Sequence, residues 1–225
     1  MNKTLYVSIV SLSLMGLPAL SLAAADAPEI STDGMQLVEK DRRGEIYADP
    51  GVNWSVYSKI VLDDATVAFR KNWQRDQNRN RAARVSTNDM ERIKSDLASL
   101  FDEVFIKELQ DNGGFEIVQE AGEDVLRISP HIVDLDVYAP DTRSSMNSRS
   151  YTDSSGRMTL KLELRDSETG DLIAVASDRR ESPYRGYAQW TTSVSNKADA
   201  RRMLQKWAVG LRERLDEATT SSKMD

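Results

Sequence analysis

The chain has 225 residues and 40% of them are apolar, which is enough for one domain with its own core. Its net charge is −6. The acidic balance disfavours nucleic acid as the main partner, because phosphate backbones are held by basic surfaces. There is no cysteine and only one histidine, which excludes disulfides, thiol chemistry and metal sites built from several histidines.

The N-terminal segment has the pattern of a cleavable export signal. Lys3 precedes an apolar run from Leu5 to Leu17, and the small residues beyond it predict cleavage after Ala23 or Ala25. The run is short for a bilayer span, which needs about 20 apolar residues. We expect residues 1–23 to be a signal peptide and the mature protein to be soluble and periplasmic. It should be neither membrane-spanning nor, without a cysteine at the cleavage site, lipid-anchored.

The polar, weakly patterned residues 26–46 predict a flexible lead-in to a single domain over 47–217, with a disordered tail over 218–225. Within the domain, β-branched and aromatic residues from Trp54 to Phe69 predict a strand. The change of hydrophobic phase at Asp63-Asp64 predicts a bulge there.

Two segments have the 3.6-residue periodicity of amphipathic helices. The first is capped by Ser86 or Thr87 and ends at Asn112-Gly113-Gly114, and the second is capped by Asn196 and continues to Leu215.

Four strands are predicted between these helices. They are Phe115–Val118, then Val125–Tyr138, then the alternating segment Met158–Leu164, then Leu172–Ser177 after a hairpin loop in which Gly170 has positive φ. Pro130 predicts an edge position or a bulge in the second. The order β-α-β-β-β-β-α indicates an α+β fold, a mainly antiparallel sheet with both helices packed on one face.

A basic run over residues 70–84 contains six cations and one acid, Asp76. It is interpreted either as a surface for an anionic envelope component or an acidic partner, or as a solvated, mobile insertion. The candidate binding residues in it are Arg75, Arg79, Arg81 and Arg84.

Residues 183–190 concentrate aromatic side chains in a predicted loop. Tyr184, Arg185, Tyr187 and Trp190 could stack on sugar rings or on a protein partner. The alternative is that the three aromatic rings close the end of the core beneath the last helix.

Three further residues, His131, Asp134 and Asp136, have side chains capable of acid–base chemistry. His131 is expected to be a partly buried structural histidine, because no orienting partner is apparent on its face. Asp134 and Asp136 are two residues apart in a strand, so both should lie on one solvated face, neutralised by Lys161, Glu163 and Arg165 of a neighbouring strand. If a pocket enclosed both carboxylates, they could instead act as the acid and base of a hydrolase.

Several short blocks together resemble one family. They are Tyr47-Ala48-Asp49-Pro50-Gly51-Val52, the segment Leu162–Gly170, Asp178-Arg179-Arg180, and Trp207-Ala208 followed by Leu211-Arg212. In this order they resemble a bacterial domain-of-unknown-function family, number 3313, of exported proteins, many of them lipoproteins. The resemblance covers roughly Tyr47 to Glu217. It implies a Gram-negative envelope setting and a small α+β domain, and it implies no catalytic residues.

The sequence therefore predicts a non-enzymatic periplasmic protein that binds a protein partner or an envelope polymer such as a polysaccharide, without cofactor or metal. A carboxylate-only hydrolase and a structural subunit of an envelope assembly are the alternatives.

Overall fold

In the computed structural model, the described residues are 34–79, 84–111, 114–138, 150–152, 155–183, 189–191 and 193–222. The helices are α1 (Trp73–Asn78), α2 (Thr87–Gln110) and α3 (Ser193–Ser221). The strands are β1 (Gln36–Lys40), β2 (Gly44–Ala48), β3 (Lys59–Leu62), β4 (Thr66–Phe69), β5 (Glu116–Ile117), β6 (Val125–Val137), β7 (Ser150–Thr152), β8 (Gly156–Asp166), β9 (Leu172–Glu181) and β10 (Gln189–Thr191).

One sheet of eight strands organises the described part of the chain, in the order β1-β2-β9-β8-β6-β3-β5, with β4 also paired to β6. The pairs β1–β2, β2–β9, β9–β8 and β8–β6 are antiparallel, whereas β3 and β4 run parallel to β6. Strands β7 and β10 pair separately. The predicted α+β class with a mainly antiparallel sheet is confirmed.

The core lies between the sheet and the two long helices. Alternate residues of β6 and β8, such as Leu126, Ile128 and Leu162, pack against Phe101 of α2 and Leu204 of α3 in one cluster. The N-cap of α2 is Ser86, as predicted, in a capping box with Asp89. Helix α3 already begins at Ser193, so the prediction that Asn196 caps it is wrong.

Pro130 lies in the interior strand β6 and not at an edge. Its position is tolerated because the neighbouring edge is interrupted there: β3 ends opposite Ile128 and β4 begins opposite His131. The Ile128 carbonyl accepts from the Asp63 N–H. Backbone groups two residues apart in a strand point to the same side, so an N–H at position 130 would point into this gap. The lack of an N–H in Pro130 therefore removes no hydrogen bond between paired strands. The bulge predicted at Asp63-Asp64 is instead a gap between two separate strands, β3 and β4.

Two predicted boundaries are wrong. Residues 26–46 were expected to be a flexible lead-in, but β1 and most of β2 lie within them, because β2 pairs with β9 and adds a hairpin to the sheet. Residues 218–225 were expected to be disordered, but α3 continues to Ser221. Gly170 has φ of 76° in the hairpin between β8 and β9, as predicted.

Candidate functional site

A basic pocket of 490 Å³ lies where the β1–β2 turn, the end of β9 and α3 meet. Each element contributes two basic residues to its lining, namely Arg42 and Arg43, Arg179 and Arg180, and Arg202 and Lys206. The carboxylates that line the pocket are Glu181 and Asp199. In an acidic chain, this is a local concentration of positive charge that the fold assembles from three distant segments.

Asp41 shapes the turn that delivers the first pair. Its carboxylate accepts hydrogen bonds from the backbone N–H groups of Arg43 (2.7 Å) and Gly44 (2.9 Å) and from the Arg43 guanidinium. These bonds hold the pKa of Asp41 below its ordinary value. Gly44 is required by close approach, because a Cβ there would lie 1.7 Å from the Ser177 carbonyl oxygen of β9.

The buried Trp207 and its partner Asp178 position Arg180 of the second pair. The Trp207 indole donates to Asp178 Oδ2 over 2.8 Å, and Arg180 Nε lies 2.9 Å from the same oxygen. The Arg180 guanidinium also lies 6.0 Å from the centre of the Trp207 ring, within the range of a cation–π contact. Because residues alternate along a strand, Arg179 points to the other side of β9 from Arg180, and its N–H donates to the Arg43 carbonyl over 2.9 Å.

A buried carboxylate supports the third pair. Asp199 is 1% exposed and interacts with Arg202, one turn further along α3, and with the Ser155 hydroxyl. The adjoining backbone is fixed by Ser182, whose hydroxyl accepts from the Ser155 N–H over 2.7 Å. A buried carboxylate needs such partners, because an unpaired one would be strongly destabilising.

Three of the six cations are thus paired with a carboxylate, and three are not. Within the described part of the chain, Arg42, Arg179 and Lys206 form no ion pair, and all three are exposed. Guanidinium groups stay charged at all physiological pH values and bind phosphate or carboxylate through two parallel hydrogen bonds. The pocket is therefore suited to bind an oxyanion.

The basic run predicted over 70–84 has a different role in its described residues. Arg70 points inward and lies 2.8 Å from Asp76 and 2.9 Å from Asp136. Trp73 is 1% exposed, stacks on Phe69 at 4.1 Å and donates to the Val137 carbonyl over 3.1 Å. The segment is a short helix docked on the sheet, so the interpretation of residues 70–79 as a mobile insertion is wrong.

The other binding residues predicted from sequence are only partly covered by the structure. Arg75, Arg79 and Arg84 are exposed, and Arg75 lies 3.5 Å from Asp76. Arg81, Tyr184, Arg185 and Tyr187 lie outside the described residues, and Trp190 is described only as a member of β10. The structure therefore does not bring the aromatic loop and the basic run into one described site.

The two carboxylates considered for hydrolysis are not placed together. A bulge between Val133 and Asp136 interrupts the register with β8, and Asp134 has φ of 51° and is exposed. Asp136 is 4% exposed and lies 2.9 Å from Arg70 and 3.1 Å from Arg157. The expected shared, solvated face is wrong, and so are the expected partners, because the bulge turns Asp136 toward the interior.

His131 is half-buried, as expected, although partners exist that the sequence did not reveal. Its Nδ1 lies 2.8 Å from the Thr66 hydroxyl and its Nε2 lies 4.0 Å from Glu163. Glu163 is itself held by Arg165 over 2.7 Å. Asp63 is similarly engaged, by both Arg127 and Ser129, while Asp64 is exposed. These contacts connect neighbouring strands.

Sequence reasoning missed the basic pocket. The available signal was the adjacent basic residues at 42–43 and 179–180 and the two basic residues Arg202 and Lys206 four positions apart, but nothing local shows that these three segments meet. Two blocks that carry the family resemblance do meet here, since Asp178 accepts from Trp207.

Comparison with known proteins places the chain in a family. The model of the family described as Protein of unknown function (DUF3313) matches residues 30–211, so the chain belongs to this family. No curated protein matches. Within the described residues, no helix combines the length and apolarity that crossing a membrane requires.

Similar solved structures include three bacterial proteins, each covering 75% of this chain. The PelC dodecamer from Paraburkholderia phytofirmans has 13% identity and a TM-score of 0.36, with 97% of that chain covered. A Xanthomonas campestris protein of family DUF330 has 11% identity and a TM-score of 0.42, with 90% covered. A putative neuraminyllactose-binding hemagglutinin homolog from Helicobacter pylori has 12% identity and a TM-score of 0.34, with 91% covered.

Proposed function

We propose that this family member is an exported, non-enzymatic binding protein of the periplasm that captures an anionic group of an envelope component in the basic pocket. The observation that carries the proposal is that six basic residues from three segments line one cavity. Its volume of 490 Å³ lies within the range of ordinary ligand sites.

The pocket is preorganised at its base and open at its surface. Asp41, Asp178 and Asp199 hold three of the cations in place, so little side-chain order has to be gained when a ligand binds. The exposed Arg42 and Lys206 supply charge that these carboxylates do not neutralise, and Arg179 adds charge from the other side of β9. A positive cavity in a protein of net charge −6 also attracts anions over distance and selects against cationic ligands.

The placement of the candidate catalytic groups supports binding over hydrolysis. The separation of exposed Asp134 from buried, doubly paired Asp136 gives no support to a two-carboxylate mechanism, which needs both groups at one substrate. Guanidinium groups bind oxyanions through hydrogen bonds and charge and do not serve as acids or bases, which also favours binding over catalysis in a pocket lined by arginines.

A pair of triple variants tests the pocket. Replacing Arg42, Arg179 and Lys206 with Gln removes three charges there, and replacing Arg75, Arg79 and Arg84 with Gln removes three from the basic run. Titration calorimetry would use glycerol 1-phosphate and galacturonate, which separate phosphate from carboxylate recognition. We expect the pocket variant to lose affinity for the bound anion by about tenfold or more and the basic-run variant to stay within about twofold.

Two results would refute binding at this pocket: saturable binding of neither anion, or a loss confined to the basic-run variant. The export part of the proposal is tested separately by cell fractionation. The full chain should be recovered from the periplasm of a Gram-negative host, and a chain without residues 1–23 should stay in the cytoplasm.

A further inference from the structure

A second cavity, of 360 Å³, lies beside the basic pocket along an adjacent stripe of α3. We refer to it as the apolar cleft. Its lining includes five buried apolar side chains from four elements, Leu97 and Leu100 of α2, Leu135 of β6, Met158 of β8 and Met203 of α3. Removing such an apolar lining from water lowers the free energy, so the cavity favours an apolar occupant.

The side-chain hydrogen bonds between α2 and α3 in the described part of the chain start where the cleft ends and continue away from it. Arg201 and Glu103 form two hydrogen bonds of 2.9 and 3.0 Å, and further along Arg212 donates to the Asp111 carbonyl over 2.8 Å. The cleft residues come from the earlier turns of both helices, up to Glu103 and Met203. Charged residues of both signs also line the cleft, namely Arg92, Asp96, Glu103, Asp136, Arg157 and Lys197. Because Asp136 is paired with Arg157 and the signs are mixed, the lining does not itself select a charged ligand.

The two cavities meet under the first turns of α3. Met203 lines both of them, and Ser155, which lines the cleft, hydrogen-bonds to Asp199, which lines the basic pocket. Residues 196, 200 and 203 face the cleft, and residues 199, 202 and 206 face the pocket. At 3.6 residues per turn these are adjacent stripes of one helix, roughly 90° apart.

We infer that the captured ligand is an amphiphile, an anionic lipid whose head group occupies the basic pocket while its acyl chain occupies the apolar cleft. This inference rests on the proposed function and names its ligand class. Charge complementarity selects the occupant: an uncharged chain suits the cleft, and an oxyanion suits the pocket beside it. A soluble anionic sugar would use only the pocket, and an apolar peptide segment only the cleft.

A chain-length series of alkyl phosphates tests the inference. Butyl, octyl and dodecyl phosphate would be titrated into the full-length protein below their critical micelle concentrations, with octyl glucoside as the uncharged comparison. Each buried methylene should increase affinity about fourfold, so octyl phosphate should bind at least about tenfold more tightly than butyl phosphate. The triple pocket variant should weaken both phosphates by the same factor, and octyl glucoside should bind more weakly than octyl phosphate.

Filling the cleft should abolish the dependence on chain length. Ala200→Phe places a ring in the cleft, Ser99→Trp covers its rim if the first variant does not fold, and Val209→Phe on the exposed side of α3 is the matched control. We expect the cleft variants to bind all three phosphates as butyl phosphate binds, and Val209→Phe to behave as wild type.

The outcomes separate this inference from the proposed function. Equal affinity for all chain lengths, or an unchanged series in the cleft variants, overturns the amphiphile and leaves the anion site standing. Binding of galacturonate without any alkyl phosphate does the same. Octyl glucoside binding as tightly as octyl phosphate, with no effect of the pocket variant, means that the cleft takes an apolar segment alone and overturns both.

Discussion

The basic run and the basic pocket are two concentrations of positive charge that arise in different ways. The run is contiguous in sequence, and its most inward arginine, Arg70, is neutralised by Asp76 and Asp136. The pocket is assembled from three distant segments, and Arg42, Arg179 and Lys206 have no ion pair among the described residues. Charge density along a chain therefore does not locate an anion site, because folding decides which cations form ion pairs, as Arg70 does, which stay exposed outside the described cavities, as Arg79 and Arg84 do, and which line a cavity.

The largest expected effect tests whether the basic run is structural. Trp73→Ala should lower the free energy of unfolding by about 3–5 kcal/mol, because a fully buried ring and its contacts are removed. Urea denaturation followed by circular dichroism measures this. Arg75→Gln, Arg79→Gln and Arg84→Gln should each change stability by less than about 0.5 kcal/mol. If Trp73→Ala cost no more than these, the run would not be anchored as described.

The next effect tests why Arg70 is unavailable to a ligand. Asp136→Asn should destabilise by about 2–3 kcal/mol, since it leaves Arg70 and Arg157 without their shared carboxylate in a partly buried site. Asp134→Asn, at the exposed bulge residue, should stay within about 0.5 kcal/mol. Thermal unfolding of both variants gives the difference, and equal costs would contradict the assignment of Asp136 as the anchoring carboxylate.

Features set by local interactions could be predicted from sequence. The helix α2 with its Ser86 cap, the alternation of β8 and the Gly170 hairpin each depend on residues a few positions apart. The strands β1 and β2 could not, because their weakly patterned residues become a hairpin only by pairing with β9. For the same reason, Asp136 was placed on the wrong side of its strand, since the bulge that turns it inward is set by the register with β8.

The candidate site was less predictable than the fold. The sequence predicts an anion site, but it places that site in the basic run over 70–84, where the cations lie close together along the chain. The pocket requires the close approach of Gly44 to Ser177 and the contact of Trp207 with Asp178, and neither contact leaves a signal in a single sequence.

A third prediction concerns the attachment of the turn that carries Arg42 and Arg43. Gly44→Ala should destabilise by about 1–3 kcal/mol, because the new Cβ collides with the Ser177 carbonyl and forces β2 away from β9. It should also weaken anion binding, since two of the six cations move. Gly210→Ala is the control: no atom lies within 4 Å of its Cβ position, and it should stabilise α3 by about 0.5–1 kcal/mol. Denaturant unfolding and calorimetry on both variants measure the two effects.

The smallest expected effect compares one carboxylate from each region. Asp41 and Asp76 both have a pKa below the ordinary value, through hydrogen bonds from backbone N–H groups and Arg43 in the first case and from Arg70 in the second. Both are therefore ionised at neutral pH. A carboxyl whose folded pKa is lowered contributes stability above its unfolded pKa and loses it as the pH falls through the folded value, so both contributions are complete at neutral pH.

At that pH, Asp41→Asn keeps an oxygen that can accept from the turn's N–H groups but frees Arg43 beside the pocket. The affinity for the anion should therefore rise about two- to fivefold, and the gain should shrink as salt screens the added charge. Asp76→Asn frees Arg70, which lies away from the pocket, and should leave the affinity unchanged. Calorimetry at low and moderate ionic strength distinguishes the two variants. An equal gain in both would mean that the anion responds to the net charge of the whole protein, and the distinction between consumed and available cations would fail.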